Sequence, residues 1–167
     1  TRKMYNLGWT GLNIDLNPIT IELFNFKRPK DINICAALSN KIKKTNLYYH
    51  HDLSSQNTLS DNHVSWMKKN FGLNNLKRKT IKTTRLDKIL KKFKINHIDF
   101  LNIDIEGLEL EVMSTINLNK LNIKVICIEL LAYNQIQKKR KKKILNFLKK
   151  NKFKIVERLR ENYILTK

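Results

Sequence analysis

Glycine, proline and cysteine are scarce in these 167 residues (four, two and two), and only 14 acidic residues stand against 34 basic ones. So little glycine and proline excludes a Gly/Ser linker, no internal repeat is visible, and the length suits one domain. Cys35 and Cys127 each sit inside an apolar run, which reads as two core thiols and excludes a disulfide framework. Long hydrophobic runs are missing. The best, "VICIELLAY" at 125–133, carries Glu129 and falls well short of the roughly 20 residues that span a bilayer. The opening "TRKMYNLGWTG" has no apolar stretch of the signal-peptide kind. No G-x-S-x-G elbow, Walker loop or G-x-G-x-x-G occurs. What is present, 41% hydrophobic residues, is enough to bury a core. The expectation is a cytoplasmic single-domain protein with no membrane partner.

The net charge of +20 invites a nucleic-acid reading, because lysine and arginine neutralise phosphates and release counterions. Yet the chain holds 27 Lys, 21 Asn and 20 Ile, three residues that share A- and T-rich codons. Lysine far outnumbers arginine, whereas specific phosphate or base recognition favours the arginine fork. The aromatics do not interleave with basic residues as a stacking platform would. Compositional drift explains the charge better than a nucleic-acid surface does, and nucleic acid is not the expected partner.

Period and punctuation give an alternating order. "GLNID" (11–15) is a short strand, and Asn17-Pro18 opens a helix over 18–26. "INICAAL" (32–38) is a nearly continuous apolar run, which suits a strand buried on both faces. A strand is expected at 46–52, a helix at 64–70 ended by Gly72, and a strand at 80–86. The helix at 86–93 carries Leu86, Ile89, Leu90 and Phe93 on one face. Buried strands follow at 98–107, broken by Gly107, and at 123–130, with a helix at 108–116 between them. A basic amphipathic helix (135–151) and a terminal hairpin around Arg160–Asn162 complete the chain. Strands alternating with helices predict an α/β fold with a mostly parallel sheet, helices on both faces and an antiparallel C-terminal hairpin.

Ligands of such a sheet bind beyond the carboxyl ends of its strands. Three strand ends carry acids: Asp15, Asp104 with Glu106, and Glu129. A carboxylate in the position of Asp15 has two oxygens that match two adjacent ribose hydroxyls; its plainer reading is an exposed acid or cap before the 18–26 helix. Asp104 and Glu106 lie among Leu101, Ile103 and Ile105. An acid in such a run costs several kcal/mol unless it is paired, solvated at a cleft or protonated, on the order of the penalty for burying an unpaired charge. The plainer alternative is that both cap the 108–116 helix. His50, His51, His63 and His97 show no zinc spacing and read as surface or loop histidines, with the His50–His51–Asp52 cluster open to substrate. No metal ligand is assigned.

At "GWTGLNIDLNP", "RPKDINICAALS", "SQNTLS", "IKTTRLDKIL", "IDFLNIDIEGLELEVM" and "VICIEL", the chain resembles the FkbM-type S-adenosylmethionine-dependent methyltransferases, in one order over nearly its whole length. The stretch "FLNIDIEGLELEV" is the most specific, matching D-[IV]-E-G-x-E after an apolar strand, and "LNIDLNP" is the second. The resemblance implies the class I, Rossmann-like three-layer sandwich with an antiparallel last strand. It implies S-adenosylmethionine as cofactor, with Asp15 at the ribose, Asn17 nearby, and Ala36 and Ala37 beside the adenine. Asp104 and Glu106 would be the catalytic pair near the methionine moiety and the acceptor, with Asp104 also touching cofactor. The acceptor class it implies is a sugar or small-molecule hydroxyl, free or in a glycan.

The family begins with a strand and a Gly-rich loop resembling D-x-G-A-N-x-G, and nothing like it precedes Asp15. "TRKMYNLGW" looks like the end of the helix after that loop. The expectation is therefore an N-terminally truncated domain over 1–167, lacking its first, central strand. Competing readings are a non-catalytic nucleic-acid-binding module carried by "KKRKKK" (138–143) and a nucleotide-dependent oxidoreductase, in which Asp15 would serve a nicotinamide cofactor.

Overall fold

Where apolar residues recur singly the chain extends, and where they recur every three or four it coils. The computed structural model describes residues 1–51, 54 and 57–167. The first half runs α1 (Arg2–Asn6), β1 (Leu12–Asp15), α2 (Pro18–Lys27), β2 (Ile32–Cys35), β3 (Ala37–Leu38), β4 (Lys44–Tyr49), α3 (Asp61–Phe71) and β5 (Lys77–Thr84). The second runs α4 (Leu86–Lys92), β6 (Phe100–Ile103), α5 (Glu109–Met113), β7 (Val125–Glu129), α6 (Gln135–Lys150), β8 (Lys154–Leu159) and β9 (Asn162–Thr166).

The helix boundaries follow local chemistry. Pro18 occupies the first turn of α2, where its missing N–H costs nothing, and the Asn17 side chain accepts from the Ile19 N–H at 3.0 Å. Ser60 Oγ caps α3 through the His63 N–H at 3.3 Å, and Gly72 ends it at φ +63°, a left-handed turn that favours glycine. Asn134 caps α6 through the Gln137 N–H at 2.8 Å.

The strands form three pieces, in the orders β1-β2, β3-β5-β4 and β6-β7-β9-β8. Pairs β1·β2, β3·β5 and β6·β7 are parallel, whereas β4·β5, β7·β9 and β8·β9 are antiparallel. This corrects the expectation of one mostly parallel sheet. The run 32–38 breaks at Ala36, whose N–H donates to the Asp15 carbonyl at 2.8 Å and so stays with β1, while Ala37 and Leu38 pair with β5. Residues 44–49 fold back on β5 as an antiparallel arm. The hairpin at the C-terminus turns at Arg160, with φ +57°, as expected.

The core lies on β6, β7 and β9 and under α4, α5 and α6, around Ile103, Val112, Met113, Ile126, Ile128 and Leu148. Burying a side chain of this size contributes about 1.5–3 kcal/mol. The first half is thinner. The two ends of β2 are exposed and its two middle residues half-buried, and Cys35 is exposed with its thiol 3.7 Å from the Leu16 carbonyl. Two readings fall there: the run is not buried on both faces, and Cys35 is not a core thiol. Cys127 is half-buried, and both thiols are free.

In the basic run of α6, Arg140 and Lys141 are engaged internally, with Glu111 and Glu161. No helix among the described residues is long and apolar enough to cross a membrane.

Candidate active site

Parallel pairing sets the floor of the site. β6 and β7 run side by side with Ile103 opposite Ile128, so Asp104, just past β6, and Glu129, the last residue of β7, stand at the same end of the sheet. Asp104 is exposed, which resolves its apparent burial: the strand ends at Ile103 and the acid emerges at a cleft.

Glu106 is brought back toward Asp104 by an unusual turn. Glu106 itself has φ +53° and Gly107 φ +100°. A Cβ on Gly107 would meet Ser60 Oγ at 3.3 Å and Gln137 Nε2 at 3.4 Å, so glycine is required for both conformation and space. Three bonds hold the turn. Thr58 Oγ1 donates to the Glu106 carbonyl at 3.1 Å, the Gly107 N–H donates to Glu109 Oε1 at 2.8 Å, and Arg140 Nη2 donates to the Gly107 carbonyl at 2.8 Å. A left-handed non-glycine residue costs on the order of 1–2 kcal/mol, and here packing from α3, α5 and α6 imposes it.

One carboxylate oxygen from each of Asp104, Glu106 and Glu129 falls within 4.8 Å of the others. Unit charges 4.8 Å apart, the widest separation here, repel by roughly 3–4 kcal/mol at an effective dielectric of 20, which favours the protonated forms of Glu106 and Glu129. Burial first, and then the charges of Asp104, Glu129 and Glu109, push the Glu106 carboxyl up to about 8. Burial and the neighbouring Asp104 push Glu129 to about 7. Glu109 is buried and also raised by that burial, although the Gly107 N–H and the Arg140 charge pull it back.

Above the cluster stands an aromatic wall. His63, with only 1% of its surface exposed, points Nε2 at Glu106 Oε2 across 3.4 Å. Trp66 and Tyr133 stack with centroids 4.7 Å apart, and Tyr133 Oη accepts from Gln137 Nε2 at 3.1 Å. Burial lowers the proton affinity of His63. This corrects its reading as a surface histidine. Its signal in the sequence is spacing, since His63 and Met67 are four apart on the buried face of α3. His97 is not part of the acid cluster: it pairs with Asp99 at 3.1 Å, and both line the cavity that Asp15 also lines. His50 and His51 are exposed, and Asp52, the third member of that cluster, lies outside the described residues.

The second half of the site is Asp15. Its Oδ1 accepts the Asn17 N–H at 2.7 Å. Burial raises its proton affinity against those backbone bonds, and the Asp104 charge adds to the rise. Asp15 and Asp104 line one cavity of about 610 Å³, walled by Ile14, Leu38, Leu101 and Ile103, within the size range of small-molecule sites. Among the described residues β1 pairs only with β2 and β6 only with β7, and this cavity lies against both free edges. Of the other predicted site residues, Glu106, Asn17, Ala36 and Ala37 do not line it. Asn17 is buried as the α2 cap, Ala37 is buried in β3, and Ala36 is half-buried beside Asp15. Two carboxylates from separate sheet pieces on one hollow with apolar walls suit a ligand with hydroxyl donors and a flat apolar body.

No curated protein and no solved structure matches the chain. The family model of the methyltransferase FkbM domain matches residues 1–155, a span that takes in Asp15, the turn at Gly107 and the end of β7 together. The chain belongs to the FkbM methyltransferase family.

Proposed function

We infer that this chain transfers a methyl group from S-adenosylmethionine to a hydroxyl of a small molecule or glycan. The observation that carries the reading is that Asp15 and Asp104, from separate sheet pieces, line one cavity. When bound, the cofactor supplies an electrophilic methyl, so the protein has to align the acceptor, exclude water and accept a proton.

Asp15 is oriented for the ribose hydroxyls, with Oδ1 already fixed by the Asn17 N–H. Asn17 contributes indirectly, as the cap that shapes this turn. Ala36, half-exposed beside Asp15, is the better adenine neighbour of the alanine pair, since Ala37 is buried. Asp104 faces both the cofactor cavity and the acid cluster. Glu106, whose proton affinity is raised to about 8, is placed to take the acceptor proton, because a base works best when its proton affinity matches the working pH. Trp66 and Tyr133 supply a flat wall for the acceptor.

The test is incubation with methyl-labelled cofactor and a panel of glycans and small hydroxylated acceptors. Labelled ether together with S-adenosylhomocysteine is expected. A protein that neither binds the cofactor nor labels any acceptor overturns the reading.

A further inference from the structure

We propose that Asp104, Glu106 and Glu129 form a site for one hard divalent cation of the Mg²⁺ or Mn²⁺ class. The ligand atoms are assembled by backbone geometry rather than by chance proximity of surface chains. Asp104, just past β6, and Glu129, the last residue of the adjacent parallel β7, stand at the same level, and the left-handed turn at Glu106 and Gly107 folds the third carboxylate back onto them. One oxygen of each lies within 4.8 Å of the others. A cation about 2.0–2.6 Å from its oxygen ligands holds opposite ligands about 4–5 Å apart, so a single ion reaches all three. An all-carboxylate set matches Mg²⁺, Mn²⁺ or Ca²⁺ and not zinc, which prefers nitrogen and sulfur.

Two further observations point to a ligand at this position. In a chain of 34 basic residues, no lysine or arginine among the described residues forms an ion pair with any of the three acids. Arg140, the nearby guanidinium on α6, is engaged with Glu111 and the Gly107 carbonyl. The other observation is His63. Its side chain is 2% exposed, neither ring nitrogen has a hydrogen-bond partner, and Nε2 faces Glu106 Oε2 at 3.4 Å. A ligating carboxylate is commonly oriented by such an outer partner, and a small closure of this gap makes the bond. The cation would leave coordination positions for water and for oxygens of the acceptor. That last role rests on the methyl-transfer reading, whereas the binding itself does not.

The test is calorimetric titration of the chelator-treated, desalted protein with MnCl2 and MgCl2, with the electron paramagnetic resonance of free Mn²⁺ as a second readout. One Mn²⁺ per chain is expected, displaced by excess Mg²⁺. Asp104→Asn and Glu129→Gln should each weaken it at least about tenfold, and Glu22→Gln on exposed α2 should leave it unchanged. Absence of saturable Mn²⁺ binding overturns the proposal, as does unchanged affinity in the folded Asp104→Asn and Glu129→Gln proteins. If those variants do not fold, Mn²⁺-induced broadening of the His63 ring resonances in the unmodified protein supports the site, and broadening centred elsewhere overturns it. Cofactor binding is measured in parallel, with chelator present. Cofactor bound without any Mn²⁺ site sinks the cation and spares methyl transfer; a Mn²⁺ site with no cofactor binding does the reverse.

Discussion

Arg140 Nη2 donates to the Gly107 carbonyl at 2.8 Å while the same guanidinium pairs with Glu111. One side chain of α6 thereby ties the first turn of α5 to the loop that presents Glu106. Both members of the ion pair are mostly buried, with side chains 21% and 24% exposed, so the bond is not screened like a surface pair. Arg140→Ala should cost about 1–3 kcal/mol in urea unfolding, the range for losing a hydrogen bond to a charged group. It should also slow methyl transfer, because Glu106 loses its brace. Arg140→Lys keeps the charge but not the fork, and should recover only part of either quantity.

Gly107 itself offers a sharper substitution. Gly107→Ala places a methyl 3.3 Å from Ser60 Oγ at a residue whose φ is +100°. That conformation costs an alanine on the order of 1–3 kcal/mol, and Ser60, the α3 cap, has to yield. A melting temperature lower than that of the parent, with a loss of turnover larger than the loss of folded protein, is the expected outcome. A variant as stable and as active as the parent would show that the turn relaxes without effect.

The acid cluster makes stability depend on pH with a definite sign. Glu106 and Glu129 have folded proton affinities near 8 and 7, above the ordinary value of 4.5. Between pH 4.5 and those values the folded protein binds protons that the unfolded chain has released, so stability falls as pH rises through this window. His63 acts oppositely: burial lowers its affinity below 6.5, so folding loses stability as pH drops beneath 6.5. The groups facing Glu106 are Asp104, Glu129 and Glu109, with His63 from α3 and Tyr133 just ahead of α6. Between pH 6.5 and 8 the titration that matters in this set is that of Glu106 and Glu129. The melting temperature in chelator should therefore decline from pH 6.5 to 8, and Glu106→Gln should flatten that decline.

The fold was legible wherever a rule is local. Asn17-Pro18, Gly72 and the Arg160 turn announce themselves, and the apolar periods at 86–93 and 135–151 mark α4 and α6. The pairing of strands was not legible, because a run such as "INICAAL" shows that it extends and not what it lies beside. Its break at Ala36 arises from a change of partner between β1 and β5. In the site, Asp104 and Asp15 follow from the strand-end rule and are brought to one cavity. Glu129 was visible by the same rule, but its proximity to Glu106 depends on a left-handed turn that nothing around residue 106 announces except Gly107. Arg140 sits in a run of six basic residues, and no local pattern singles out the one that turns inward.

The division of labour between the two carboxylates separates binding from chemistry. Asp15 stands on β1 with one oxygen fixed by the Asn17 N–H and is not one of the three clustered acids, although the Asp104 charge reaches it. Asp15→Ala should therefore weaken cofactor binding by about tenfold or more, the worth of one or two hydrogen bonds to a charged group, while turnover at saturating cofactor stays within a few-fold. Asp104→Asn preserves shape and removes charge at the point where cavity and cluster meet. It should cut turnover by about two orders of magnitude, the usual size of losing one fixed charge beside the reacting atoms, with circular dichroism unchanged. Measuring both variants by cofactor titration and by single-turnover transfer distinguishes the roles. If Asp15→Ala instead loses turnover at saturating cofactor and Asp104→Asn loses only affinity, the two carboxylates have exchanged duties and the acceptor enters from the β1 side of the cavity.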